Sequence, residues 1–365
     1  IILGVGLSFK KGADKDLTAF FLAGRNMPWW LSGISMVATT FAADTPLAVT
    51  ELIAKNGISS NWLWWNMMAG GMLTTFFFAK LWRRANVLTD LEFIEERYSG
   101  KAAAALRGFR SIYFGLFMNA LVIGWVNIAM MSLIKVFFPA LADHLLISIA
   151  VLMIIVVIYS SLSGLKGVAV TDVIQFTVAM IGCIILAVLV LTSDDIGGIT
   201  GLKEKLPDYT LSFFPKIGEN KTEGILTLSL GSFIAFGLFQ WWSSWYPGAE
   251  PGGGGYIAQR IMSTKDEKNA LFATLLFQIG HYCLRPWPWI IVALCSVVLY
   301  PDLPDTEKRL GFVLVMRDYL PAGLRGLLFV SFLAAYMSTI STQLNWGASY
   351  LMNDFYKRFF KVNNK

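Results

Sequence analysis

The run Ala334-Ala335-Tyr336-Met337-Ser338-Thr339-Ile340-Ser341-Thr342-Gln343-Leu344-Asn345 sets small residues and hydroxyls inside an otherwise apolar segment. On a helix Ser338, Ser341 and Thr342 fall at i, i+3 and i+4 and share one face, with Thr339 about 100° round from Ser338. Such a face offers hard oxygen donors to a cation. The same residues also suit close helix packing, and each hydroxyl can bond back to the carbonyl one turn earlier. The stretch by itself leaves both readings open.

A carboxylate is a natural second component of a cation site. Asp172, in the stretch Gly164 to Gln175, lies roughly one and a half turns into another apolar segment. There its charge needs a cation or strong donors, unless it is a wetted carboxylate close to a helix start. Two interruptions add further candidates. Pro46 follows Thr39-Thr40-Phe41-Ala42-Ala43-Asp44-Thr45; as a helix-interior proline it leaves the Ala42 carbonyl without its usual partner and frees nearby carbonyls for an ion. The second, Trp245-Tyr246-Pro247-Gly248-Ala249-Glu250-Pro251-Gly252-Gly253-Gly254-Gly255-Tyr256, cannot stay regular helix. Broken helix at membrane depth is tolerated where it lines a cavity, or it is a simple kink. Asp44 and Glu250, at the two breaks, can meet solute hydroxyls or an amine, or can cap freed backbone N–H groups. Trp241, Trp242 and Trp245 offer a stacking surface for a ring or an apolar solute face. Arg285 either pairs with a carboxylate in the cavity or, as expected first, snorkels to an interface, and His281 and His144 read as satisfied bystanders.

The elements that position these groups follow from composition. Of 365 residues, 56% are hydrophobic and 15% charged, with a mean hydropathy of +0.58, which defines an all-α polytopic membrane protein. A transmembrane barrel is excluded because the apolar runs do not alternate with period two. Cys183, Cys283 and Cys295 have no metal-ligand spacing. The apolar segments lie at about 28–53, 62–82, 108–138, 145–162, 167–192, 225–247, 270–299 and 322–350. Residues 1–9 are too short to span and read as the end of a truncated helix.

Alternating these spans puts nineteen Lys and Arg residues on one side and nine on the other, so the richer side is expected to be cytoplasmic. The net charge of +6 then belongs to membrane-facing loops and not to nucleic-acid binding. The expected partners are the lipid bilayer and a small-molecule solute. Neither H-E-x-x-H, G-x-S-x-G nor a Walker sequence is present, so the chain is not expected to be an enzyme or an ATP-driven pump.

The chain resembles the sodium:solute symporter family. The resemblance is carried by Phe20 to Trp30, Gly164 to Gln175, Gln259-Arg260, and above all Leu320-Pro321-Ala322-Gly323-Leu324-Arg325-Gly326 leading into Ala334 to Asn345. It implies an inverted five-plus-five helix repeat with broken helices one and six, alternating access, and Na⁺ as the coupling ion. It divides the chain into residues 1–27 (end of an N-terminal helix and linker), 28–192 (first repeat), 193–224 (extracellular loop), 225–353 (helices six to eight) and 354–365 (tail or connection). Helices nine and ten are then missing, so the second repeat is expected to be incomplete.

Carried over residue by residue, the resemblance implies a first Na⁺ site from the Ala38, Phe41 and Ala335 carbonyls and the Ser338 and Thr339 hydroxyls. A second would use Asp172, Ser338, Ser341 and Thr342, giving two sodium ions per cycle. Neither Asp172 nor the broken segment has an obvious protein cation to serve it. Asp44, Thr45, Trp241, Trp242, Trp245 and Glu250 are the candidate solute-binding residues, for a sugar-like or amino-acid-like solute. The expected location is the plasma membrane, the inner membrane of a bacterium. The alternative is a solute-sensing input module of a signalling protein.

Overall fold

The first long apolar segment does not form one helix. In a computed structural model that describes residues 15–218, 225–240 and 255–360, it is split into α1 (Trp29–Thr39) and α2 (Asp44–Asn56). The chain leaves α1 through a tightened turn in which Phe41 N–H donates to the Ala38 carbonyl at 3.0 Å. The Ala42 carbonyl accepts from Thr45 N–H at 3.3 Å, so it has a partner after all. The break therefore lies ahead of Pro46. That proline is the third residue of α2, in the first turn, where a missing N–H costs nothing. What holds the break open is Phe41, whose buried ring stacks on Trp289 with centroids 5.1 Å apart and meets Phe332 edge-on at 6.1 Å.

After α2, the segment expected at 62–82 is fragmented into Trp62–Trp65, Met68–Leu73, a π turn over Thr74–Phe78, and α3 (Ala79–Ala85). Then come α4 (Glu92–Arg97), α5 (Gly100–Ile112), α6 (Asn119–Phe137) and a 47-residue α7 (Leu145–Leu191). α7 joins two expected spans and turns sharply at Gly164, whose φ of 58° and ψ of 175° disfavour a side chain. The second half contains α8 (Gly255–Met262), α9 (Glu267–Gln278), α10 (Pro286–Leu299), α11 (Leu310–Tyr319) and α12 (Ala322–Ser349). The expected loop at 193–224 carries a helix at Gly198–Lys205, and its strand Lys216–Ile217 pairs in parallel with Thr227–Leu228. Helical backbone continues past residue 353 to Phe359, with Asp354 fully buried.

Among the described residues, five continuous helical stretches are long and apolar enough to cross a membrane: Gly100–Phe137, Pro139–Ile158, Gly164–Leu191, Glu267–Leu299 and Ala322–Phe359. The first segment and the 62–82 segment fall out of that set because each is interrupted. The second proline- and glycine-rich break lies almost entirely outside the described residues.

Side-chain contacts sort the polar ends. At one end Arg84 pairs with Glu267 at 2.9 Å, Arg358 with Glu95 at 2.8 Å, and Arg83 Nε donates to the Thr264 carbonyl. These join three of the segments that the alternation of spans assigns to the basic side. At the other end Trp62 Nε1 donates to the Phe213 carbonyl at 3.0 Å and Tyr319 hydroxyl to Asp195 at 2.6 Å, joining three segments of the other side. Beside the first set, residues 27 and 263–265 are stitched by Met27 N–H to the Ser263 carbonyl and Lys265 N–H to the Met27 carbonyl, both 3.0 Å. α1 and α9 touch so closely that a Cβ on Gly33 would lie 2.9 Å from the Ala273 carbonyl.

Candidate ion site

Helix α12 presents the hydroxyl run to two neighbours at once, the open end of α1 and the centre of α7. Ser338, Thr339, Ser341 and Thr342 are all buried. Thr339 Oγ1 donates to the Thr39 carbonyl, the last residue of α1, at 3.2 Å. The Thr342 and Thr39 hydroxyls lie 3.4 Å apart. The broken helix and the hydroxyl face therefore come together. The Ala38, Phe41 and Ala335 carbonyls with the Ser338 and Thr339 hydroxyls are an all-oxygen donor set, the kind a hard cation takes.

Asp172 is completely buried one helix away. Ser35 Oγ donates to its Oδ2 at 2.6 Å and Ser338 Oγ donates to its Oδ1. The expectation that it lacks a protein cation is overturned. Arg260 of α8, also completely buried, places Nη2 3.5 Å from Asp172 Oδ2. The same Nη2 donates to Thr342 Oγ1 at 2.8 Å, Nε donates to Ser35 Oγ at 2.8 Å, and Nη1 donates to the Tyr256 carbonyl at 3.3 Å. Ser341 Oγ turns back to the Ser338 carbonyl at 2.9 Å. Asp172, Ser338 and Thr342 thus surround or abut one guanidinium, while the Ser341 hydroxyl is turned to its own helix.

Arg260 is the member of this cluster that the sequence conceals, because its position beside Lys265 and Lys268 reads as part of a basic end. The available signal was indirect. A carboxylate buried in an apolar segment demands a counter-charge, and α8, all eight residues of it buried, holds the arginine.

The expected solute residues are placed in part. Asp44, at the start of α2, accepts from Trp125 Nε1 at 2.8 Å, with the Thr45 hydroxyl 3.5 Å from its other oxygen. Asp44 is therefore held by the Trp125 side chain and also by its own backbone N–H at the helix start. Trp241, Trp242, Trp245 and Glu250 lie outside the described residues. Arg285 does not snorkel. It is buried, Nη1 donates to the Val37 carbonyl at 3.2 Å and to the Thr40 hydroxyl at 2.9 Å, and its guanidinium lies over Trp289. His281 bridges the same two residues, with Nδ1 3.0 Å from the Thr40 hydroxyl and Nε2 3.1 Å from Arg285 Nη2.

A helix broken at membrane depth and closed against an oxygen-lined face of a second helix is the architecture of a multi-pass secondary transporter. Comparison with known proteins places it further: a family model described as "Sodium:solute symporter family" matches residues 20–365, and the chain belongs to that family of transporters. A sodium/glucose cotransporter of Vibrio parahaemolyticus is 25% identical over 393 residues, covering 100% of this chain and 68% of that protein. Sodium/glucose cotransporter 2 of Rattus norvegicus is 24% identical over 399 residues, covering 98% of this chain and 56% of that one. The chain thus spans about two thirds of the first relative and little more than half of the second. A solved structure of a Na⁺-coupled sialic acid symporter, in a substrate-bound outward-open state, matches with a TM-score of 0.74 at 20% identity over 99% of this chain and 72% of that one. That likeness establishes the shared fold.

Proposed function

We propose that the protein is a Na⁺-coupled symporter of a small polar organic solute working by alternating access in a plasma membrane, the inner membrane of a bacterium. The observation that carries this reading is the contact of Thr339 with the open end of α1 beside buried Asp172. Sodium at the first site is held by the Ala38, Phe41 and Ala335 carbonyls and the Ser338 and Thr339 hydroxyls. Its positive charge draws the two helices together and fixes the break that presents Asp44 and Thr45 to solute. A second sodium is taken by Asp172, Ser338, Ser341 and Thr342. Ser338 serves both.

Because binding is linked, sodium raises solute affinity and solute raises sodium affinity by the same factor. A sugar-like solute is favoured over an amino-acid-like one by the sodium/glucose cotransporters among the relatives. The test is uptake of radiolabelled sugars and amino acids into proteoliposomes of the purified protein. Accumulation only with an inward sodium gradient is expected. Equal uptake with and without the gradient removes the proposal.

A further inference from the structure

We infer that Arg260 is a tethered cation that holds Asp172 until sodium arrives at the second site, and that sodium can bind there only when the guanidinium leaves. The inference rests on the symport reading above and adds an exchange of cations to it.

The geometry carries the exclusion. Nη2 of Arg260 lies 2.8 Å from Thr342 Oγ1 and 3.5 Å from Asp172 Oδ2, between two of the oxygens a second sodium would use. A hard cation of this size sits about 2.3–2.6 Å from its oxygen ligands. An ion bonded to Asp172 Oδ2 and Thr342 Oγ1 would take the two oxygens that Nη2 faces, setting two like charges against each other in a site where all three side chains are buried. Arg260 and a sodium that uses Asp172 Oδ2 and Thr342 Oγ1 therefore compete for the same two oxygens. Nor is the carboxylate bare while it waits: the arginine neutralises it, and Ser35 and Ser338 satisfy its oxygens.

The exchange also has a mechanical side. Arg260 and Ser35 belong to α8 and α1, which are joined by the Ser32 hydroxyl donating to the Arg260 carbonyl at 2.8 Å. Asp172 and Thr342 belong to α7 and α12. The guanidinium thus bridges two pairs of helices, and its displacement removes a charge-assisted link between them. The Tyr256 carbonyl, which Nη1 already reaches at 3.3 Å, gives the displaced head an acceptor on its own helix.

A resident competitor lowers the apparent sodium affinity by the fraction of time it occupies the site. Removing it must therefore tighten binding. The experiment is equilibrium binding of radioactive sodium to the purified protein without solute, in wild type, R260A, D172N and the double variant. R260A is expected to bind the second ion roughly tenfold tighter or more, and millimolar guanidinium chloride is expected to return it toward the wild-type value by filling the vacated pocket. D172N should abolish the second ion in either background. Unchanged or weaker sodium binding in folded R260A overturns the exchange, as does indifference of R260A to guanidinium. Should R260A not fold, R260K carries the test, since lysine keeps the charge but cannot reach Asp172 and Thr342 with a fork; tighter sodium binding supports the exchange and equal or weaker binding overturns it. Absence of sodium binding in wild type and variants alike defeats the symport reading itself, whereas wild-type binding that R260 variants leave unchanged defeats only the exchange.

Discussion

Thr339 donates its hydroxyl to the carbonyl of Thr39 across a gap of 3.2 Å, joining the middle of one helix to the last turn of another. A neutral hydrogen bond of this kind is worth about 1 kcal/mol to stability. Its larger role lies in where it holds the end of α1.

Thr339→Ala should therefore cost little stability and much ion dependence. The half-saturating sodium concentration for uptake by the full-length protein is expected to rise by roughly tenfold, the loss of one oxygen ligand at about 1.4 kcal/mol. Thermal unfolding in detergent should shift by only a few degrees. A variant that unfolds early yet keeps its sodium dependence would show the hydroxyl to be packing alone.

Asp172→Asn leaves the Arg260 guanidinium buried opposite a neutral amide. Breaking a buried pair from one side costs about 3–5 kcal/mol, whereas replacing both partners with apolar groups can be nearly neutral. D172N alone should lose stability by that amount, and D172N combined with R260M should recover most of it. If the double variant is no more stable than D172N, the two side chains are not energetically coupled.

At the basic end, one arginine should matter far more than its neighbours. Arg107, with a side chain only 10% exposed, reaches Asp354 and Glu95 at 2.7 Å and Glu92 at 3.3 Å. Arg84, 65% exposed, holds Glu267. Arg107→Ala should cost about 3–5 kcal/mol and Arg84→Ala below about 1 kcal/mol. Chemical denaturation of the two variants side by side gives the comparison, and equal losses would refute the ranking.

The same network sets an acid limit. Hydrogen bonds from Arg358, and then from Arg107, hold the Glu95 carboxyl down at about 2 from its ordinary 4.5. A carboxyl depressed on folding stabilises above its unfolded pKa and loses that contribution as protons are forced on. Glu95 therefore contributes fully above about pH 4.5, progressively less below it, and nothing under about pH 2. Glu95→Gln should flatten the wild-type loss of stability in that window while lowering stability at neutral pH. A Gln variant with an unchanged acid profile would remove Glu95 from the account.

Much of this was legible in the chain because membrane helices announce themselves by composition, and because hydroxyls at i, i+3 and i+4 share a face wherever a helix forms. The expected meeting of the Ser338–Thr342 run with the broken segment and with Asp172 appears in the structure as direct hydrogen bonds. The location of the break was misjudged because a proline in an apolar run reads as a disruptor, while Pro46 occupies the first turn of α2, where it is harmless. The fate of the arginines was not legible at all. Arg260 and Arg285 have the same local surroundings in sequence as a loop arginine and a snorkelling one, and only tertiary packing puts Asp172 beside one and the end of α1 beside the other.

The stitch between Met27 and residues 263–265 has a consequence for how such a chain can vary. Met27 and Thr264 lie side by side in strand-like register, Trp29 N–H is capped by the Asn269 side chain at 2.9 Å, and Ser32 holds the Arg260 carbonyl. The three contacts tie α1 to both sides of one short turn, so one residue gained or lost between Met262 and Glu267 would set the contacts after the turn against those before it and pull Ser35 away from Arg260. Among relatives that keep the arginine, the length of this short turn should be invariant even where its letters are not.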